Sequence, residues 1–200
     1  MYVYTGTGAF ITPFTPSINT WYMLSVVTNP TNTYLYVNGQ YYGSVGFAVS
    51  NFTPTQHSIG YYSVTGRYLN GSIDQVRIFN TALSAGAVTS LYNETVATAS
   101  NSYINLPSCV AYYKMSDATD ETGSYDGTPT NVNFNVAGKF GNAGEFNGSS
   151  SYMDTNISTI TSNGGSVSLW VKTTTGTQSA FFGGQSPSQN RFYFGVRNNN

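Results

Sequence analysis

Apolar and polar residues alternate with a period of two through much of this chain, a pattern that suits extended strands with one face buried. Tyr22, Leu24 and Val26 share one face over residues 22–27. Over residues 34–37, Leu35 and Val37 point one way while Tyr34 and Tyr36 point the other,. Asn38-Gly39 follows at once, and both residues tolerate the positive φ angles of a type I′ turn, so residues 34–46 are expected to form a hairpin,. One segment reads as helix: Ser84 can cap it, Val88, Leu91 and Tyr92 give it one apolar side, and Gly86 limits it to two or three turns,. The fold class expected is all-β, two antiparallel sheets packed as a sandwich, with one short helix.

Charged residues make up 8% of the 200-residue chain, well below the roughly 25% of an average soluble protein, so solubility must come from hydroxyls and amides,. With 40% hydrophobic residues, the length suits a single core,. The seven cations are scattered as Arg67, Arg77, Lys114, Lys139, Lys172, Arg191 and Arg197, with a net charge of −1. No basic stripe exists to neutralise phosphates, which argues against nucleic-acid binding. No apolar run approaches the roughly 18 residues of a membrane span, and Met1-Tyr-Val-Tyr-Thr-Gly-Thr7 has neither the basic nor the apolar region of a signal peptide,. The expectation is therefore no membrane insertion and no classical secretion. Cys109, the single cysteine, reads as a small buried apolar residue inside a strand,.

Two groups of motifs carry a family resemblance. Trp21-Tyr-Met-Leu-Ser-Val-Val27, Tyr34-Leu-Tyr-Val-Asn-Gly39, Gly71-Ser-Ile-Asp-Gln-Val-Arg-Ile-Phe79 and Ala82-Leu-Ser-Ala-Gly-Ala-Val-Thr-Ser-Leu-Tyr92 resemble the closing motifs of the laminin-G-like, concanavalin-A-like jelly rolls. Cys109-Val-Ala-Tyr-Tyr-Lys-Met-Ser-Asp117, Asp126-Gly-Thr128, Gly138-Lys-Phe-Gly-Asn-Ala-Gly-Glu-Phe-Asn-Gly-Ser-Ser-Ser-Tyr152 and Ser166-Val-Ser-Leu-Trp-Val-Lys172 are similar to the opening motifs of the same family. The closing motifs come first. Residues 1–92 thus read as the family's C-terminal half, 93–107 as a linker and 108–200 as its N-terminal half. Either the chain is one circularly permuted jelly roll, or it is a one-period window of a tandem array; sandwich termini often lie close enough for such rejoining. Neither half alone could close two sheets over a core, and a monomer is expected.

By simple alternation Asp74 falls on the same strand face as Val76 and Ile78, where a buried carboxylate needs a partner,. Backbone amides or a nearby cation could supply it; so could calcium, which takes about six to eight oxygen ligands. Asp117, Asp120 and Asp126 are the further candidates for such a site, and many relatives within the resemblance carry a structural calcium near this aspartate. The sequence leaves both alternatives open.

Catalysis is not expected. The glycosidases within the resemblance carry an E-x-D-x-E acid pair on one strand, and no such run occurs here,. Glu94, Glu121 and Glu145 fall in the linker, a loop and a turn. His57, the one histidine, reads as a strand-edge residue packed by Tyr61 or Tyr62, with no Gly-x-Ser-x-Gly elbow or reactive cysteine to serve,. Binding is the better expectation, because aromatic faces accept the apolar side of sugar rings and amides or carboxylates read the hydroxyls. Among 17 Tyr and 12 Phe, the best local clusters are Tyr61, Tyr62, Arg67 and Tyr68 in one loop, and Asn190 with Arg191 in another,. The five Asn-x-Ser/Thr sequons, at Asn51, Asn70, Asn93, Asn147 and Asn156, are no more than so Asn-, Ser- and Thr-rich a chain produces by chance,.

The resemblance, with the linker and the Asp-rich opening that follows it, also extends to repeats of bacteriophage tail and surface proteins. It implies a non-catalytic carbohydrate-binding or adhesion module on a virion or extracellular surface, its partner a glycan or cell-surface polysaccharide. The alternative is a structural decoration or spacer domain that binds neighbouring virion or fibre subunits.

Overall fold

The computed structural model describes residues 1–4, 9–46, 56–62, 66–94, 108–157, 164–185 and 191–196. Within them, two antiparallel sheets enclose one core. A seven-stranded sheet runs β11 (Thr128–Thr130), β14 (Tyr152–Thr155), β6 (Gln56–Ile59), β16 (Ser179–Gln185), β17 (Arg191–Val196), β1 (Tyr2–Tyr4), β2 (Ala9–Ile11). An eight-stranded sheet runs β12 (Asn133–Ala137), β13 (Asn142–Asn147), β9 (Asn70–Phe79), β15 (Gly165–Thr173), β3 (Tyr22–Thr28), β4 (Thr33–Val37), β5 (Gln40–Val45). β10 (Cys109–Tyr113) shares an edge of β9 with β13. The two-stranded ribbon β7 (Tyr61–Tyr62) and β8 (Arg67–Tyr68) links the sheets. This is a concanavalin-A-like β-sandwich.

Strands from residues 1–92 and from 108–200 alternate within both sheets, so neither segment holds a sheet of its own. β9 and β3, from the first segment, flank β15 from the second; β6 lies between β14 and β16. β1 pairs antiparallel with β17, Tyr2 opposite Gly195 and Tyr4 opposite Tyr193. The first and last described strands are thus direct neighbours.

The core is the product of the alternation. Leu24, Val26, Leu35, Ile73, Val76, Ile78, Val167, Leu169 and Val171 project from one sheet; Val3, Ile59, Met153, Phe181, Phe182, Phe192 and Phe194 project from the other, all nearly inaccessible to water. At about 25 cal/mol per Å² of apolar surface removed from water, this one contiguous cluster is the main source of stability. The predicted hairpin forms, with Asn38 at φ 50° and Gly39 at φ 76°. Helix α1 (Ala85–Tyr92) also forms, the Ser84 hydroxyl accepting from the Ala87 amide. Val88 and Leu91 pack on Met23, Val27, Phe79 and Trp170 on the outer face of the eight-stranded sheet.

One strand departs from simple alternation. Gln75 adopts φ 53°, and the pairing of β9 with β15 slips between Ser168–Arg77 and Trp170–Asp74. This bulge places Ile73 on the core side together with Val76 and Ile78, while Asp74 lies level with Trp170 of the outer cluster. The expectation that Asp74 shares the face of Val76 and Ile78 is therefore corrected: an extra residue in a strand reverses the facing of everything before it.

Candidate functional site

Across the outer face of the seven-stranded sheet the register sets one row of outward residues: Thr128, Asp154, Ser58, Gly183, Tyr193, Tyr4. Their neighbours along each strand, such as Met153, Ile59, Phe182, Phe194 and Val3, are in the core. A row so exposed by register should be a plain polar surface. Instead the β7–β8 ribbon lies on it.

Gly60 turns the chain out of β6 at φ 77°, its amide held by the Phe181 carbonyl, and Leu69 returns to the core with its amide on the Gly60 carbonyl. Between them the ribbon sits over β16, the middle strand of the seven. A Cβ on Gly183 would stand 3.1 Å from both the Tyr61 carbonyl oxygen and the Tyr62 ring, so the bare glycine permits this close approach,. Tyr62 is 2% exposed and stacks on Tyr193 at 4.0 Å with rings 8° from parallel. Arg67 donates to the hydroxyls of Tyr2 and Tyr193, the latter at 2.7 Å. Its Nη2 and Nε also donate to Gln178, whose amide is turned with its oxygen toward the guanidinium, at 2.9 and 3.1 Å. Burial, first of all, and the Tyr193 hydroxyl raise the Tyr2 phenol above its usual range.

The ribbon divides the face. On the β17 side Tyr2, Tyr4, Tyr62, Tyr193 and Arg67 form a packed and mutually bonded cluster. On the β14 side Tyr61 stacks on Tyr68 at 4.3 Å and meets Tyr152 at 5.3 Å, all three half-buried. Beside them stands the half-buried Asp154, which accepts from the Ser58 hydroxyl at 2.5 Å. Burial, then the hydroxyl and charge of neighbours including Tyr68, Tyr152 and Asp154, push the Tyr61 phenol up to about 12. Three aromatic rings and a carboxyl group thus meet on this side of the ribbon.

The sequence-derived candidates fall as follows. Tyr61 and Tyr68 come together on the β14 side. Tyr62 and Arg67 lie in the packed cluster of the other side, where a stack and four hydrogen-bonding contacts occupy them. Asn190 lies outside the described residues, and of Arg191 only the backbone is described, at the start of β17. Most of the expected linker, residues 95–107, is likewise outside them. Tyr152 and Asp154 were missed. Their outward alternation against Met153 and Thr155 is legible in the sequence, but the pairing of β14 with β6, about a hundred residues away, is not.

The four aspartates do different work. Asp120 is 1% exposed and accepts from the amides of Tyr112, Thr122, Ser124 and Tyr125 and from the Thr122 hydroxyl. Asp126 accepts from the Asp120 amide, and Asp117 from the Thr119 amide, each pinning its loop. Asp74 accepts from the Phe140 amide at 2.8 Å, closing the Gly138–Gly141 turn. Burial raises its carboxyl to about 6 against the pull of that amide. Its Oδ1 is buried without a hydrogen-bond partner among the described residues, a feature that would welcome a cation. Yet among the described residues no three His, Cys, Asp or Glu side chains converge as a metal site requires,. Asp74, Asp117, Asp120 and Asp126 do not converge as one such group.

His57 is an interior residue, not a strand-edge one. It is inaccessible to water, stacks on Phe182 at 5.4 Å, and its Nδ1 bonds the Ile157 carbonyl at 2.8 Å. Alternation carries it inward from β6, away from Tyr61. Burial pulls its pKa down to about 4, so the ring is neutral. The glutamates are engaged: Glu94 pairs with Arg77 in a buried bridge and Glu121 with Lys114, both at 2.8 Å, while Glu145 accepts from Asn133. Burial holds the Cys109 thiol up at about 11, far from a reactive thiolate,.

No described helix is long and apolar enough to cross a membrane. Comparison with curated proteins and with solved structures finds no match. Residues 1–89 do match a laminin G family model, that of the concanavalin A-like lectin/glucanases superfamily. That superfamily points to a lectin-like or other binding module, and the match over residues 1–89 supports a laminin-G-like jelly roll, in agreement with the two-sheet architecture.

Proposed function

We propose that this protein is a non-catalytic carbohydrate-binding or adhesion module, of the kind borne by phage tail or other surface proteins. The observation that supports it is the trio Tyr61, Tyr68 and Tyr152 beside Asp154 on the outer face of the seven-stranded sheet. Ring faces desolvate the apolar side of a sugar, while a carboxylate next to them accepts from its hydroxyls. The ribbon and the sheet fix these groups before any ligand arrives, which lowers the ordering cost of binding.

A glycan array probed with the purified chain, in calcium and again in EDTA, tests the reading. Saturable binding to one glycan class, lost in Tyr68→Ala and Tyr152→Ala variants that stay folded, is the expected result. A blank array from folded protein overturns it. The reading requires no metal, so binding should survive EDTA.

A second reading is a spacer that contacts neighbouring protein subunits. Tyr41 and Tyr42 on the edge strand β5 are 59% and 41% exposed, and Ile18 is 54% exposed. An aromatic sheet edge favours protein contact. A blank array together with concentration-dependent association, abolished by Tyr41→Ser with Tyr42→Ser, would select it.

A further inference from the structure

Two lysines on the outer face of the eight-stranded sheet rest on indoles. Lys139 Nζ stands 4.5 Å from the Trp170 ring centroid and 5.9 Å from that of Phe140, and Lys172 Nζ lies 5.1 Å from Trp21. Neither ammonium makes an ion pair or a hydrogen bond among the described residues. Yet the exposed Glu145 shares a row with Lys172, each of them opposite Ser72. On this face the rings, rather than the carboxylates, are the seats for positive charge.

The Trp170 seat is the more enclosed. Tyr92, at the end of α1, stacks on the same indole at 5.6 Å, and Phe140 meets it edge-on at 5.9 Å. Asp74 lies opposite Trp170 on the neighbouring strand, its Oδ2 accepting from the Phe140 amide and its Oδ1 buried without a hydrogen-bond partner among the described residues. Ring faces and a buried carboxylate both favour a cation. Every side chain of this sheet and of α1 is described; the charged ones that are not, Arg191 and Arg197, belong to β17 and the residues after it.

Lys139 fills the seat imperfectly. Its N–H donors find no acceptor among the described residues, and its side chain is exposed, so it leaves the rings at small cost,. A trimethylammonium group has no N–H to satisfy and turns methyls to the rings, so it gives up no hydrogen bond on entering. We infer that Trp170, Tyr92, Phe140 and Asp74 form a seat for a trimethylammonium group of the choline type, with Lys139 as its built-in competitor. The seat lies on the opposite sheet from the tyrosine half-face and does not depend on the glycan reading. A lipid headgroup and choline that is free or carried on a polymer share this chemistry.

The test uses the two tryptophans, Trp21 and Trp170, whose indole N–H signals are followed in a heteronuclear correlation spectrum and assigned with Trp21→Phe. Choline chloride should move the Trp170 signal saturably, with a dissociation constant in about the millimolar range. Dimethylbutanol, its uncharged isostere with carbon in place of nitrogen, should bind about tenfold more weakly. Lys139→Ala should tighten choline binding about two- to fivefold by removing the competitor, and Phe140→Leu should weaken it. Cosedimentation with phosphatidylcholine vesicles but not phosphatidylglycerol vesicles assigns the group to a lipid; saturable choline binding without it assigns a free or polymer-borne source. No saturable shift, an equal response to the isostere, or unchanged choline binding in Lys139→Ala overturns the inference and leaves the glycan reading untouched.

Discussion

Two buried ionisable groups pull the stability of this protein in opposite directions as the medium is acidified, and single substitutions can separate them. His57 has a folded-state pKa of about 4 against 6.5 for a free side chain, because burial opposes its charged form. The unfolded chain takes up this proton first, so the stability linked to His57 is present near neutrality and lost as pH falls through 6.5 toward 4,. At about 1.4 kcal/mol per unit, the loss between about pH 7 and about pH 4 is about 3 kcal/mol. Asp74 does the reverse. Its folded pKa is about 6 against 3.8, so the folded state takes the proton first, and acidification over that window restores about 2 kcal/mol,. In the parent these contributions largely offset each other.

The perturbation is His57→Asn, whose amide can still donate to the Ile157 carbonyl, compared with Asp74→Asn. Urea unfolding of each, followed by intrinsic fluorescence between about pH 7 and about pH 4, gives the free energies. At neutral pH His57→Asn should be less stable than the parent, since the ring packed on Phe182 is lost,. That deficit should shrink by about 3 kcal/mol on acidification, while the gap between parent and Asp74→Asn should shift by about 2 kcal/mol in the parent's favour. Each difference isolates one group, whatever the other carboxylates do. If the parent and His57→Asn lines run parallel across the window, the claim that a buried neutral imidazole controls acid sensitivity is wrong.

Other expectations follow from the same contacts. Arg67→Met leaves the Tyr2 and Tyr193 hydroxyls and Gln178 without their shared donor, and should cost about 1 to 3 kcal/mol by urea unfolding,; an unchanged midpoint would mean the ribbon is held by ring stacking alone. Gly138→Ala sets a methyl 2.6 Å from the Asp74 carboxylate and 2.9 Å from the Asn142 backbone, and should lower stability by about 1 to 3 kcal/mol,. The melting temperature should not move in EDTA, given how the four aspartates are spent; a fall reversed by added calcium would refute that assignment. Joining residue 200 to residue 1 and opening the chain within 95–107 should give a folded protein of similar melting temperature, because β1 and β17 already pair as neighbours,. Failure of that rearrangement to fold would count against the permuted-domain reading.

Local chemistry made much of the fold legible before any coordinates. The 38–39 turn, the Ser84 cap and the inward residues of β3 and β4 depend on φ preferences, a hydroxyl near a helix start and the pleat of a strand. All of these act over a few residues. Alternation failed at Asp74, because a bulge there is stabilised by β15 and by the handover from β13 to β10 along the same edge of β9. His57 was misplaced for a related reason: which side of a strand is the core depends on the partner sheet.

The candidate site divides along the same line. The cluster Tyr61, Tyr62, Arg67 and Tyr68 could be read as a group from its composition, since the residues are close in sequence. Which of its rings face solvent could not, because the close approach of the ribbon to Gly183 sends Tyr62 onto Tyr193 and leaves Tyr61 with Tyr68 on the other side. Tyr152 and Asp154 join them only through the β14–β6 pairing. By itself, then, the sequence determined the strand-rich class, the turn, the cap and the core-facing pattern, all set by interactions between near neighbours. The tertiary structure alone decided which aromatic rings meet, which carboxylate stands beside them and how the face is divided, because register between distant strands is fixed only when both sheets close over a shared core.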